Sequence, residues 1–402
     1  MFLVRHAKRG DVSTLAKLAR MVYFINLPAD EKILNQKVEG SRDAFRRAAA
    51  DAPMAGEPVG SSPSSRHKDR RPEAGAGLAA AHKRSDVFVF VIEELETKSV
   101  VGTSQLISRM GGPGDPNYSL RLSERRFYST TLNFGTTHTV ARLYPDETGP
   151  TEVGGLILQP SLRGHAARPG RFISWVRFHF MGVYRSTFPD RVVAEMAPPV
   201  SPDGDNLFWD HIGRKFIPVK YAEADRFCQY NRKFIEELLP KDDIYLTLLP
   251  LEVLNHVAQV SAETIPARKM LERQGFKYKG FIDPFDGGPH IEADTDRIPL
   301  VADSLRADYA GLAPDDVLNR LGIVSTMTDD GDFRAVETPF LLEGKTLKLP
   351  KKAADALHPA SAEIVGVTPY PASESPQLPA RAPAKAKKKK RRGRGPAGSD
   401  GV

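Results

Sequence analysis

Residues 163–171 read Arg-Gly-His-Ala-Ala-Arg-Pro-Gly-Arg. They follow an apolar, strand-like run at 153–158. They precede a stretch, 171–185, that sets Phe172, Trp175, Val176, His179 and Val183 on one helical side. A loop entering a helix N-terminus offers free backbone N–H groups and the positive end of the helix dipole, which suits a pyrophosphate. Gly164 and Gly170 permit close backbone approach, and Arg163, Arg168 and Arg171 add donors. An ordinary exposed turn of solvated charges fits the same pattern about equally well.

The surrounding elements alternate in type. Residues 2–6 read as a strand. Asp11 and Asp30 stand where they can cap two helices, the second over 31–47. Residues 87–93 and 99–108 form a hairpin, and 118–126 and 127–144 form two further strands or one long ribbon. The run at 191–196, Arg-Val-Val-Ala-Glu-Met, is a short buried strand. A helix at 205–212 and a strand start at 215–218 follow. Helices are expected at 231–239, 250–259 and 264–273, then a strand at 276–282. Beyond residue 300, strands at 333–342, 345–349 and 364–367 and a helix at 351–357 suggest a small β-rich module. The expected organisation is therefore a main region, 1–300, a module, 301–370, and a tail, 371–402.

Composition separates body from tail. The chain has 402 residues, 57 Lys+Arg against 50 Asp+Glu, and a formal charge of +7. Residues 371–402 hold nine basic and two acidic side chains, so the whole +7 lies there and the rest balances at 48 of each sign. A nucleic-acid-binding fold spreads its cations over a packed face, so the body does not read as one. The Pro/Ala-rich, polybasic tail is read as disordered. Its Lys/Arg run can touch nucleic acid or anionic surfaces without specificity. Residues 49–85, rich in Ala, Gly, Pro and Ser, read as a disordered insertion. Cys228 is alone, which excludes an intrachain disulfide and fits a reducing compartment. The charged opening residues are not those of a signal peptide, and no apolar run approaches the ~20 residues of a membrane span. A cytoplasmic protein is expected.

The element order resembles the GNAT acyltransferase fold, an α/β (α+β) architecture with a mixed twisted sheet flanked by helices, whose loop before the long helix binds an acyl-CoA. Individual segments point further. Residues 192–196 (VVAEM), 208–216 (FWDHIGRKF), 234–245 (FIEELLPKDDIY), 266–298 (PARKMLERQGFKYKGFIDPFDGGPHIEADTDRI) and 4–17 (VRHAKRGDVSTLAKLA) resemble the arginine N-succinyltransferase family. The resemblance covers most of residues 1–370, and its FIDPFDGGP block is long and unusual.

The resemblance implies transfer of a succinyl group from succinyl-CoA, a co-substrate, to the α-amine of L-arginine. It implies no metal or redox cofactor, and it suggests a multimer. The family's succinyl-CoA contact, a leucine on the strand before the loop, matches Leu156, with Arg163 and Gly170 following in a loop about two residues longer than the family's. The family's proton-donor histidine falls on Ser261. A serine cannot act as a general acid near neutral pH. Three readings remain for the proton. His256 carries it, or Ser261 holds a relaying water, or the thiolate, with a pKa near ~8.5, leaves without a donor. Glu195, on the strand beside the thioester, is read as the base for the α-ammonium; a glutamate paired with an arginine is the rival. Among the acids around 287–289, Asp283 and Asp286 are read as a clamp for the guanidinium, against solvated loop acids. Alternatives are another acyl-CoA or amine, or a catalytically silent or re-targeted paralogue acting as a partner subunit.

Overall fold

The structure, a computed structural model, describes residues 1–21, 29–51, 85–201, 205–228, 233–360 and 363–371. Most of the 49–85 insertion and nearly all of the 371–402 tail lie outside them.

The strands in chain order are β1 (Phe2–His6), β2 (Val87–Glu94), β3 (Ser99–Ile107), β4 (Asn117–Ser129), β5 (Phe134–Asp146), β6 (Thr151–Leu158), β7 (Arg191–Glu195) and β8 (Ile244–Tyr245). Then come β9 (Lys277–Ile282), β10 (Pro289–Asp294), β11 (Leu305–Leu312), β12 (Arg320–Met327), β13 (Phe333–Glu343), β14 (Thr346–Leu349) and β15 (Ile364–Pro369). They form one mixed sheet in the order β12-β15-β11-β14-β13-β1-β2-β3-β6-β7-β10-β9-β4-β5-β8. The expected 87–108 hairpin is β2–β3, and β4–β5 is a long antiparallel ribbon.

The C-terminal strands do something their sequence does not announce. β12 pairs with both β15 and β13, so β12-β15-β11-β14-β13 close into a five-stranded barrel. β11 and β12 were absent from the sequence reading. β13 joins the barrel to the rest of the sheet: Arg334–Val336 pair with β1, and Leu341–Glu343 pair with β14. Val324, Val336, Phe340, Leu347, Val365 and Val367 fill the barrel core.

Among the helices that flank the sheet are α1 (Val12–Ala19), α2 (Glu31–Ala50) and α3 (Pro169–Val183). α3 is buried almost all round: its aromatic and aliphatic side chains pack on the sheet, and Ser174, Arg177 and His179 are buried with them. An aromatic nucleus joins it to the rest. Phe180 lies 4.9 Å from Phe88 on β2, and 5.2 Å from both Phe45 on α2 and Phe333 on β13.

Some local expectations change. Asp30 caps α2 by accepting from the N–H groups of Lys32 and Ile33. Asp11 does not cap with its side chain; its carboxylate accepts from Arg5 and from the N–H of Lys8 instead. The strand start at 215–218 is a helical end: one wide π turn, Trp209–Gly213, runs into helix Arg214–Phe216. The helix at 250–259 shortens to Leu251–Leu254.

Candidate functional site

β6 and β7 are parallel neighbours over only two pairs, Thr151–Val192 and Glu152–Val193. Beyond that point they part. β6 also bulges against β3: Gln105 pairs with Gly154, and the register then shifts so that Thr103 pairs with Ile157. Gly155 carries the shift with φ +56°, and a Cβ there would sit 2.9 Å from the Gln105 amide. Glycine is needed for both reasons. The bulge takes Gly155 and Leu156 out of regular pairing with β3, so their backbone groups lie at the edge of the wedge.

α3 begins at the mouth of this wedge, where Gly170 packs on Leu158. In its first turn Pro169 has no N–H, and Arg171 and Phe172 donate to the carbonyl of Arg168, so of the donors expected at the loop the Gly170 N–H is the one left facing it. Arg163 is half exposed, 3.8 Å from Glu263. Arg171 turns the other way: it donates to Glu337 at 2.8 Å and lies against the rings of Trp175 and Tyr370. Leu156 is partly buried and packs on the main core.

Side chains alternate across the parting strands. Val153, Val192, Ala194, Met196, Ile291 and Ala293 join the core on the α3 face. The opposite face carries Gln105, Glu152, Glu195 and His290, a polar row across β3, β6, β7 and β10. Gln105 is 1% exposed, and both polar atoms of its amide lack a hydrogen-bond partner. Antiparallel pairing sets His290 directly opposite Glu195. By register, Glu195 stands level with Gly154, where β6 and β7 separate.

Asp283 joins this row from the turn between β9 and β10. One of its oxygens accepts from the N–H groups of Phe285 (2.7 Å) and Asp286 (3.1 Å). The other lies 3.9 Å from His290 Nε2, and Glu195 Oε1 lies 3.8 Å from the same nitrogen. The acid and imidazole atoms of Glu195, Asp283 and His290 all fall within 4.8 Å of one another. Asn117 Nδ2 approaches Glu195 Oε1 at 3.4 Å. Burial would raise the Asp283 pKa, but His290 and the two backbone donors hold it below the usual carboxylate value. Burial would likewise lower His290. The Asp283 and Glu195 carboxylates, with Glu152 behind them, outweigh it and hold His290 above the ordinary histidine value. Glu195, Asp283, Tyr118, Cys228 and Phe285 line a small cavity beside the cluster.

The remaining acids around the Gly-Gly-Pro turn are committed elsewhere. Asp286 accepts from its own turn at the N–H of Gly288, Glu292 is gripped by Arg191 and Lys279, and Asp296 binds Arg185. Ser261 is beside the site: its N–H donates to Ala197, two residues past Glu195, and its hydroxyl bonds Thr264 at 2.7 Å. His256 is partly exposed and spends Nδ1 on the carbonyl of Glu252, one turn back. Trp209 stacks on Phe285 and is fully buried.

Residues 68–300 match the family model described as the arginine N-succinyltransferase beta subunit. Proteins named arginine N-succinyltransferase from Shigella dysenteriae and Escherichia coli are 33% identical over 313 residues, covering 77% of this chain and 81% of theirs. The chain belongs to the arginine N-succinyltransferase family. The solved arginine/ornithine succinyltransferase subunit AI from Pseudomonas aeruginosa is similar over 92% of this chain and 98% of its own. The TM-score is 0.71 and the identity 25%.

Within this succinyltransferase family member, sequence reasoning had passed over His290, Asn117 and Gln105. A period-two reading of 289–294 puts His290 and Glu292 on one face. Only the register with β7 shows that His290 meets Glu195.

Proposed function

We propose that the chain transfers a succinyl group from succinyl-CoA to the α-amine of L-arginine, as the first step of arginine degradation. The carrying observation is the wedge between β6 and β7, which opens level with a partly buried cluster of carboxylates around His290 on one face and with the α3 N-terminus at its mouth. This arrangement supports a GNAT-like reading of the main sheet.

The parts divide as follows. The CoA pyrophosphate sits at the α3 N-terminus, with Gly170 giving backbone access and Arg163 a cation. The arm enters the wedge and hydrogen-bonds the backbone released at Gly155 and Leu156. Arginine approaches on the polar face. Asp283 supplies negative charge to the cationic substrate, while Asp286 shapes the turn that holds Asp283 in place. Glu195 accepts a proton from the α-ammonium; the amine attacks the thioester carbon, a C–N bond forms, the C–S bond breaks, and the CoA thiolate leaves. Its low basicity makes a strong proton donor at Ser261 unnecessary. Ser261 instead fixes the loop beside Ala197. His256, bonded to its own helical turn, lies outside the scheme.

We further propose that residues 301–370 act as a folding unit with a core of their own, docked through β13 on β1, and that the protein works in the cytoplasm as an oligomer. Among the described residues no helix is long and apolar enough to cross a membrane.

The test mixes the purified chain, with and without residues 371–402, with succinyl-CoA and L-arginine, and follows free thiol. Release from both forms supports the enzyme; ornithine and other acyl-CoA esters define its range. The serine at 261 favours a second reading, a silent partner subunit. CoA binding by calorimetry with no thiol release from any acyl-CoA would select it.

A further inference from the structure

His290 has been given no chemistry so far. It is 6% exposed, its Nε2 has no hydrogen-bond partner, and that atom points between two carboxylates at the level where β6 and β7 separate. Neither carboxylate is free to drift. Asp283 is pinned by two backbone N–H groups, and Glu195 is fixed on β7 beside Asn117.

The charges around His290 come from three elements: Glu195 on β7, Asp283 on the β9–β10 turn and Glu152 on β6. The nearby cations on flanking positions, Arg191 and Lys279, are held by Glu292, and Arg191 also by Asp146. One imidazolium therefore faces three carboxylates while the site is empty. A cationic amine entering the same space supplies the charge that the imidazolium had supplied. The two positive charges then repel at short range, and the stronger acid of the two, the imidazolium, loses its proton.

We propose that His290 is the proton exchanger of the acceptor site: it holds a proton while the site is empty, yields it when a cationic amine binds beside Glu195 and Asp283, and then receives through Glu195 the proton that this amine sheds. The inference rests on the acyl transfer proposed above. The ledger of atoms closes. The ammonium passes one proton through the Glu195 carboxylate to His290 Nε2. The freed lone pair forms the C–N bond as the C–S bond breaks, and the second proton lost from nitrogen goes to the CoA thiolate. The products are the amide, the free thiol and a re-protonated His290. Because it acts through Glu195, His290 is a positioning residue for the proton rather than a group that touches the reacting carbon.

The experiment uses the full chain. Side-chain nitrogen NMR follows the ten histidines, with His290→Gln and His290→Asn both made to assign the resonance, so that loss of one variant does not stop the assignment. In the free protein the His290 resonance should titrate above the ordinary histidine value of ~6.5, and L-arginine with saturating CoA should shift that midpoint downward. Calorimetry of L-arginine binding to the CoA-saturated protein, in two buffers of different ionisation enthalpy, should show proton release in the native chain and none in the variants. The acid limb of kcat/KM against pH should move in the variants. An arginine-insensitive His290 resonance, or an unchanged proton count and acid limb in a folded variant, overturns the proposal. A variant that loses activity with the native pH profile assigns His290 a structural role and also overturns it. The NMR shift is read without turnover. A chain that releases no thiol would thus defeat the acyl-transfer reading separately.

Discussion

Acidification is expected to loosen the contact between α3 and the barrel, because of one histidine. His179 is fully buried on α3. Its Nδ1 meets Thr368 on β15 at 2.6 Å, and its Nε2 meets Ser325 on β12 at 2.6 Å. Hydroxyls can serve either nitrogen, but among the described residues no carboxylate faces the ring there, and burial without a counter-charge keeps it neutral in the fold. Burial pushes its pKa down to about 3. The folded value is depressed, so below ~6.5 the unfolded chain binds a proton that the native chain refuses, and stability falls as pH falls. Between pH 8 and pH 5 the unfolded state gains a factor of about 30, a loss of about 2 kcal/mol from this site alone. His290 carries the opposite sign: its raised folded pKa adds stability at low pH that is lost as pH rises through that value. A difference between variants is therefore the clean measure. Urea unfolding of the native chain and of His179→Leu at pH 8 and pH 5 gives it. The variant starts lower, because Ser325 loses a partner, but its loss on acidification should be smaller by about 2 kcal/mol. Parallel losses in the two proteins would refute the neutral, buried assignment.

Other outcomes follow from the site. Glu195→Gln should lower kcat by ~10²–10⁴-fold with little change in the KM for succinyl-CoA, and unchanged kinetics would remove Glu195 as the base. Gly155→Ala places a methyl group 2.9 Å from the Gln105 amide at a positive φ, so it should raise the succinyl-CoA KM and lower Tm, both readable in one preparation. Ser261→Ala should cost less than about tenfold in kcat, since its hydroxyl meets Thr264; a fall of the size general acid–base catalysis supplies, ~10²-fold or more, would return Ser261 to the chemistry. Removing residues 371–402 should leave thiol release unchanged while abolishing salt-sensitive binding to nucleic acid.

Much of this protein was legible along the chain. Apolar runs bounded by turn residues gave β1, β2, β3, β6 and β7, and the helical spacing of Phe172, Trp175 and Val176 gave α3. Those patterns are local, and side-chain burial on one face is enough to set them. The loop at 163–171 was readable as an anion site because the strand and helix that frame it are neighbours in sequence. The role of Arg171 was not, since its partner Glu337 is 166 residues away.

The barrel was also hidden. Its closure depends on β12 meeting both β13 and β15, and pairing partners are chosen by edge hydrogen bonds and shared core volume rather than by any strand's own pattern. The site divides in the same way. Composition and wording named Glu195 and Asp283 as acids that could matter, and grouped Asp283 with Asp286 and the other acids around residues 287–289. Tertiary structure separated them. Arg191 and Lys279 neutralise Glu292, Arg185 takes Asp296, and the turn consumes Asp286, while Asp283 and Glu195 are left facing His290. A carboxylate's availability is a property of what folds against it. The sequence alone determined which residue types were present and which local elements they form; the register between β7 and β10 decided which of them face one another.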